Sequence, residues 1–334
     1  MREHRAIVAA IVAAFALVGI AAGIRMAEIQ TAGRAQSATP PVSSEASSSQ
    51  PFEKSADRLH TDGQYLSTKS ATTTTKKAPL SSTPATVQPV DAVTAEAYIV
   101  GDLETGTIYA EKDADTSLPV ASISKLVTAL VATDIYSATT TISIEPEELQ
   151  AVINQGVGPE QAGLVPGERF TLDELMHALL MDSSNLAGEA IASSTDRAHF
   201  LNLMSQYLWE IGMPTSFAAD PTGLSRDNSG TARGIFGLTE YLYRHRPDIL
   251  AITTISTYSI ATTTQHMAHT FVNIHPFAGD PLFLGGKTGH TNAAQDTMLT
   301  IMDIGGHPIA FIVLRSTSGE RARDTGILIE DLKL

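Results

Sequence analysis

Followed from the N-terminus, the pattern of apolar and polar positions changes character twice. Ala6–Ile24 is an unbroken apolar run of 19 residues. As a helix it would span roughly 28 Å, close to the hydrocarbon thickness of a bilayer. Arg2 and Arg5 precede it, which predicts a cytoplasmic N-terminus. A cleaved signal peptide is the rival reading. Its apolar region is usually ~7–15 residues, shorter than this run, while the Ala-rich residues near Ala21 leave room for a cleavage site. A buried core helix fits poorly, because the run is apolar on every face and a polar tract follows it. We read residues 1–30 as a cytoplasmic stub and transmembrane anchor.

Residues 31–91 are dominated by Ser, Thr, Ala and Pro, as in Ser47-Ser48-Ser49 and Thr72-Thr73-Thr74-Thr75. Such a tract cannot bury enough apolar area to offset its ordering entropy. It reads as a disordered linker of about 60 residues, with a root-mean-square reach of ~40–45 Å.

From residue 92 to 334 the pattern is that of a folded domain. Ala97–Val100 and Thr107–Glu111 read as two strands around Glu104-Thr105-Gly106. Thr297–Met302 and Ile309–Arg315 read as a second hairpin around Gly305-Gly306-His307-Pro308. Between these ends the period is mostly helical. Thr171 and Glu174 form a capping box, and Leu172, Leu175, Met176, Leu179 and Leu180 follow at helical spacing. Phe200, Met204, Leu208 and Ile211 mark another helix, closed by Gly212. Arg321–Leu332 reads as a terminal helix packing back on the sheet. Strands at both ends with helices between predict an α+β domain whose antiparallel sheet is assembled from the two ends.

Composition narrows the function. A hydrophobic content of 43% supports a sizeable core, and the absence of cysteine removes disulfides and thiolate metal sites. Residues 1–90 carry nine Lys/Arg against six Asp/Glu, and residues 91–334 carry thirteen against thirty. So acidic a body argues against nucleic-acid binding.

Three short motifs then stand in order: Ser122-Ile123-Ser124-Lys125, Ser183-Ser184-Asn185 and Lys287-Thr288-Gly289. After Pro119, apolar residues recur at Ile123, Leu126, Val127, Leu130 and Val131, which places Ser122 in a first helical turn. Ser122 and Lys125 then share one face, with Cβ atoms about 5–6 Å apart. Partial burial and a second cation would lower the Lys125 pKa and leave free amine to act as a base. The bland reading is a helix cap followed by a surface lysine. Against it, Lys125 alone among the eight lysines has Ser three positions before it. Ser183-Ser184-Asn185 sits past the Leu172–Leu180 stripe, as an interhelical loop would. Lys287-Thr288-Gly289 follows Leu284-Gly285-Gly286, as a sheet edge approached by a ligand would. Each of these two alone reads as an ordinary turn. Together the three supply a hydroxyl beside an amine, a second hydroxyl with an amide, and a second lysine able to hold a carboxylate. That is the inventory for acyl transfer through a serine ester.

The motifs resemble those of the serine D-alanyl-D-alanine carboxypeptidases, low-molecular-mass penicillin-binding proteins. The likeness extends to Asp102-Leu103-Glu104-Thr105-Gly106, to Leu118-Pro119-Val120-Ala121-Ser122 and to Gly163-Leu164-Val165-Pro166-Gly167. Asp220-Pro221-Thr222-Gly223-Leu224 resembles the family's Asn-Pro-x-Gly-Leu segment, and Thr231-Ala232-Arg233 lies within its Ser-Thr-Ala-Arg-Asp segment. The resemblance implies a β-lactamase/transpeptidase-like fold: a five-stranded antiparallel sheet flanked by helices, with an inserted helical subdomain. It implies Ser122 as nucleophile on the penultimate D-Ala carbonyl, Lys125 as its base and Ser183 as proton relay. It implies substrate contacts from Asn185, Lys287, Thr288 and Gly289, with the backbone N–H groups of Ser122 and His290 as oxyanion hole. The His290 side chain is then a decoy for a Ser-His-Asp triad. No metal or organic cofactor is required, and the expected partners are peptidoglycan stem peptides and β-lactams, met outside the cytoplasmic membrane.

Three positions depart from the family pattern: Leu186 replaces an Asp, Gly230 a Ser and Gly234 an Asp. These bear on efficiency and substrate preference rather than on the primary groups. Carboxypeptidase and D,D-endopeptidase are not separated by these residues. A class A β-lactamase would need a Glu-x-x-x-Asn segment after Ser183-Ser184-Asn185, and none is evident. A non-catalytic penicillin-binding or wall-anchoring module would be expected to lack Ser122 or Lys125.

Overall fold

The computed structural model describes residue 90 and residues 92–156, 162–213 and 218–332. The expected anchor and nearly all of the linker lie outside the described residues. Among the described residues no helix is long and apolar enough to cross a membrane.

The sheet strands are β1 (Ala97–Asp102), β2 (Ile108–Lys112), β3 (Phe283–Thr291), β4 (Gln295–Ile304) and β5 (His307–Ser316). They pair antiparallel in the order β2-β1-β5-β4-β3. The two ends of the domain therefore meet at the centre of the sheet, with Ile99 opposite Ile312. The β4–β5 turn is Gly305-Gly306, both at positive φ. Two left-handed residues match the right-handed twist of the flanking strands, which is why this pair closes the hairpin.

Both faces of the central strands are covered, so β1 and β5 are apolar almost throughout. Ala97 and Ile99 point into the larger core, and Tyr98 and Val100 into the smaller one on the opposite face. The smaller core is shared with Leu328 of the terminal helix.

Among the described residues between β2 and β3 lie seven α-helices: α1 (Lys125–Ile135), α2 (Pro146–Asn154), α3 (Leu172–Leu180), α4 (Asn185–Ser193), α5 (Arg197–Glu210), α6 (Ala232–His245) and α7 (Pro247–Thr254). The terminal helix is α8 (Arg321–Asp331). The expected capping box of α3 is present: Glu174 N–H donates to Thr171 Oγ1, and Thr171 N–H to the Glu174 carboxylate. In α5, Phe200, Met204 and Leu208 are buried and Gly212 takes φ +87° past the helix end. Sequence reading missed α2, α6, α7 and the hairpin Thr257–Ile260/His269–Val272. In α2 and the hairpin the apolar residues are few or interrupted, and in α7 they form one short run, whereas α6 does carry Ile235, Leu238 and Leu242 at helical spacing, a pattern the sequence reading passed over.

One local detail differs from expectation. Ser122 is not in the first turn of an α-helix. Ala121–Ser124 form a 3₁₀ turn, and α1 begins only at Lys125. In a 3₁₀ turn residues i and i+3 eclipse, which brings Ser122 directly over Lys125.

Candidate active site

Two lysine–serine pairs converge where the helical insertion meets the free edge of β3. In the first, Lys125 is wholly buried, and its Nζ donates to Ser122 Oγ at 2.9 Å, to Asn185 Oδ1 at 2.8 Å and to the Thr222 carbonyl at 2.8 Å. A carbonyl or amide oxygen can only accept, whereas a hydroxyl can reverse. When the amine loses a proton, its lone pair is therefore steered to Ser122, and the other two N–H bonds persist. Ala121, immediately before the nucleophile, is held at φ +48°. A non-glycine residue in this region is strained and persists only where its surroundings impose it.

The second pair is Lys287 and Ser183. Lys287 Nζ donates to Ser183 Oγ at 2.9 Å and to the Thr288 carbonyl at 3.0 Å. Lys287 is fully buried, and burial holds its amine well below the ordinary lysine pKa; repulsion from Lys125 and Arg321 adds to this, while Asp182 opposes it. Ser183 also has a left-handed backbone, φ +61°. Its neighbours divide the remaining work. Ser184 Oγ caps α4 by accepting from Ala187 N–H at 2.9 Å, and Asn185 begins the helix and points at Lys125.

The third motif lies on β3, at the sheet edge as expected. Gly289 is required by contact rather than by its dihedral angles. A Cβ there would stand 2.5 Å from Thr297 Oγ1, 2.9 Å from Ala121 Cβ and 3.0 Å from Ser122 N. The strand thus lies alongside the Ser122 backbone N–H. Thr288 Oγ1 is buried and has no hydrogen-bond partner. A buried hydroxyl without a partner is costly and unusual, and here it stands at the proposed substrate edge.

His290 is half exposed, and its Nδ1 is 2.7 Å from Asp296 Oδ1. The ring is thus turned to Asp296, while Ser122 is engaged by Lys125. Among the described residues no group of three His, Asp or Glu side chains is placed to hold a metal ion.

Sequence reading missed the wall on the far side of Lys125. The Asp220 carboxylate, buried, gathers the N–H groups of Thr222, Gly223, Leu224 and Ser225 and the Thr222 hydroxyl. The loop so formed aims the Thr222 carbonyl at Lys125 and presses Gly223, φ +83°, against the Ala121 carbonyl. Asn228 adds a clamp: its Nδ2 donates to Ser124 Oγ at 3.0 Å and to the Asp220 carbonyl at 2.9 Å. The Asp-Pro-x-Gly pattern was the available signal, since Asp before such a turn collects backbone N–H groups.

At the departures, Leu186 is fully buried in the core and Gly230 pairs with Leu118. The Gly234 N–H bonds Thr231 Oγ1, and a Cβ there would press on Met213 at 3.1 Å. None of the three removes a group from the two lysine–serine pairs.

Residues 83–318 match the S11 peptidase family, D-alanyl-D-alanine carboxypeptidase. The chain belongs to this family. An S11 relative, the D-alanyl-D-alanine carboxypeptidase DacB2 of Mycobacterium tuberculosis, is 26% identical over 233 residues, covering 69% of this chain and 78% of the relative. A D-alanyl-D-alanine endopeptidase of Escherichia coli is 28% identical over 228 residues, covering 65% of this chain and 69% of the relative. The Streptomyces K15 DD-transpeptidase shares the fold with a TM-score of 0.67 at 21% identity, over 74% of this chain and 98% of that one. The expected five-stranded α+β architecture with its helical insertion is therefore the S11 fold, and the chain is a serine-type hydrolase of this family.

Proposed function

We propose that this S11 enzyme removes the terminal D-Ala from peptidoglycan stem peptides through an acyl-enzyme on Ser122. The observation that carries the reading is the buried Lys125 amine, held between Ser122 Oγ, Asn185 Oδ1 and the Thr222 carbonyl. Lys125 takes the Ser122 hydroxyl proton as Oγ bonds to the penultimate D-Ala carbonyl carbon. The N–H groups of Ser122 and His290 hold the oxyanion. The C–N bond breaks, and the departing amine receives a proton through Ser183. Water then attacks the ester and releases Ser122. Lys287 and the unpartnered Thr288 hydroxyl bind the terminal carboxylate, and Gly289 lets the substrate lie along β3. β-Lactams acylate Ser122 by the same route, their ring amide standing in for the scissile bond.

A D,D-endopeptidase is the second reading, favoured by the name of the Escherichia coli relative. One experiment tests both. Intact-mass analysis after penicillin should show a single adduct on Ser122, and incubation with a pentapeptide should release D-Ala. Turnover of a cross-linked dimer in place of the pentapeptide would favour the endopeptidase. No adduct and no turnover would reject the enzyme reading.

Residues 1–30 are proposed as an uncleaved membrane anchor, with 31–91 as tether and 92–334 as a catalytic domain outside the cytoplasmic membrane. The apolar run, the preceding arginines and the polar tract support this arrangement.

A further inference from the structure

The family segment that residues 220–224 resemble begins with Asn; this chain has Asp220. The side chain is buried, and every bond it makes is accepted from an N–H or an O–H. Four of its five donors converge on Oδ1, and the Ser225 N–H alone goes to Oδ2 at 2.6 Å. An Asn could keep the Oδ1 set; it would lose one bond and the charge. The loop alone therefore does not require a carboxylate, and the added negative charge needs another explanation.

That charge lies one residue of chain from the Lys125 amine. Asp220 Oδ1 accepts from Thr222 N–H at 2.7 Å, and the Thr222 carbonyl accepts from Lys125 Nζ at 2.8 Å. Other charges stand near the amine. Lys287 on β3 repels it. Asp182, before Ser183, and Arg321 of α8 act on Lys287. Glu189 of α4, buried, is held by Arg197 of α5 through two bonds of 2.8 and 3.1 Å, and Arg197 also feels Asp220. On its far side Asp220 thus opposes the push of Lys287, and Arg197 moderates it.

We propose that Asp220 is a positioning residue that sets how tightly Lys125 holds its proton, counterbalancing Lys287 across the nucleophile. This rests on the reading of Lys125 as base. The consequence is an acid limb of the acylation profile displaced upward relative to an otherwise identical site carrying Asn.

The test is the pH profile of acylation by a fluorescent penicillin, measured on the full chain, with thermal melts confirming folding. Asp220→Asn should move the acid limb down by about one pH unit, as removal of a nearby opposite charge does. The plateau rate should change no more than a few-fold. Glu189→Gln/Arg197→Gln should move the limb the other way, because it removes the cation that moderates Asp220 without stranding the Glu189 carboxylate. A limb unmoved in folded Asp220→Asn, or a rate lowered equally at every pH, overturns the proposal and leaves Asp220 a loop brace. If Asp220→Asn does not fold, the double variant Glu189→Gln/Arg197→Gln, which removes the ion pair together and leaves no stranded carboxylate, decides: an upward shift supports the proposal and no shift rejects it. Failure of the underlying reading looks different, since Lys125→Ala would then still acylate.

Discussion

Lys287 and Ser183, 104 residues apart in the chain, meet through a 2.9 Å hydrogen bond from Nζ to Oγ. The bond repeats, on the opposite wall, the one between Lys125 and Ser122. Each lysine is buried and each holds one hydroxyl, so the pairs can exchange protons with different partners. In the proposed mechanism the first serves Ser122, and the second serves the leaving amine and the terminal carboxylate.

Ser122 should be the sole acylation site. One penicillin adduct is expected by intact mass in the wild type and none in Ser122→Ala. An adduct on Ser124 would contradict the geometry, since the Ser124 hydroxyl is engaged by Asn228.

The two lysines should separate by substrate. Lys125→Ala should abolish acylation by any substrate. Lys287→Ala strands Ser183 and removes a cation, so acylation by carboxylate-bearing substrates should fall roughly ten- to a few hundred-fold. A thioester ending in an amide should lose much less. Burial lowers the Lys287 pKa and a bound carboxylate would raise it again, so KM should rise as pH rises through the lowered value of the free enzyme. Equal losses on both substrates would move Lys287 into proton transfer.

Lys287 should also cost stability. Its pKa in the folded state lies below that in the unfolded chain, so unfolding takes up a proton between the two values and stability rises with pH across that window. The penalty is greatest on the acid side, where the buried amine must carry its charge. Lys287→Met should therefore stabilise by about 1–2 kcal/mol, a rise in Tm of about 2–8 °C. The gain should be largest at acid pH and shrink toward the ordinary lysine range. A gain independent of pH would point to packing instead.

Gly289→Ala should damage catalysis without unfolding the sheet. The new methyl would meet Thr297 Oγ1, Ala121 and the Ser122 N–H, and displacement of a reacting group by about 1 Å costs on the order of a hundredfold. kcat/KM and penicillin acylation should fall together, and because the methyl overpacks a buried contact at a cost of about 1–3 kcal/mol, the melting temperature should drop by roughly 2–12 °C while the fold is kept.

The membrane reading makes its own demand. N-terminal sequencing of membrane-extracted protein should find residues 6–24 retained, and a mature chain beginning after Ala22 would make the enzyme a secreted one.

Local pattern carried much of the architecture. Apolar, strand-like runs at both ends, the Gly305-Gly306 turn and the Thr171/Glu174 capping box are short-range signals, and each appears in the structure. The Ser122/Lys125 spacing was legible for the same reason, since three residues suffice to align two side chains. The tertiary structure decided what depends on groups far apart in sequence. It joined Asn185 and Thr222 to Lys125, 60 and 97 residues away, and Ser183 to Lys287. It set the nucleophile in a strained 3₁₀ turn and required a glycine at position 289, because two backbones approach there with no room for a Cβ. It also lowered the pKa of Lys287, where burial dominates and the charges of Lys125 and Arg321 add to it. Burial and repulsion are sums over neighbours that only the folded chain brings together, so no spacing along the sequence could have revealed them.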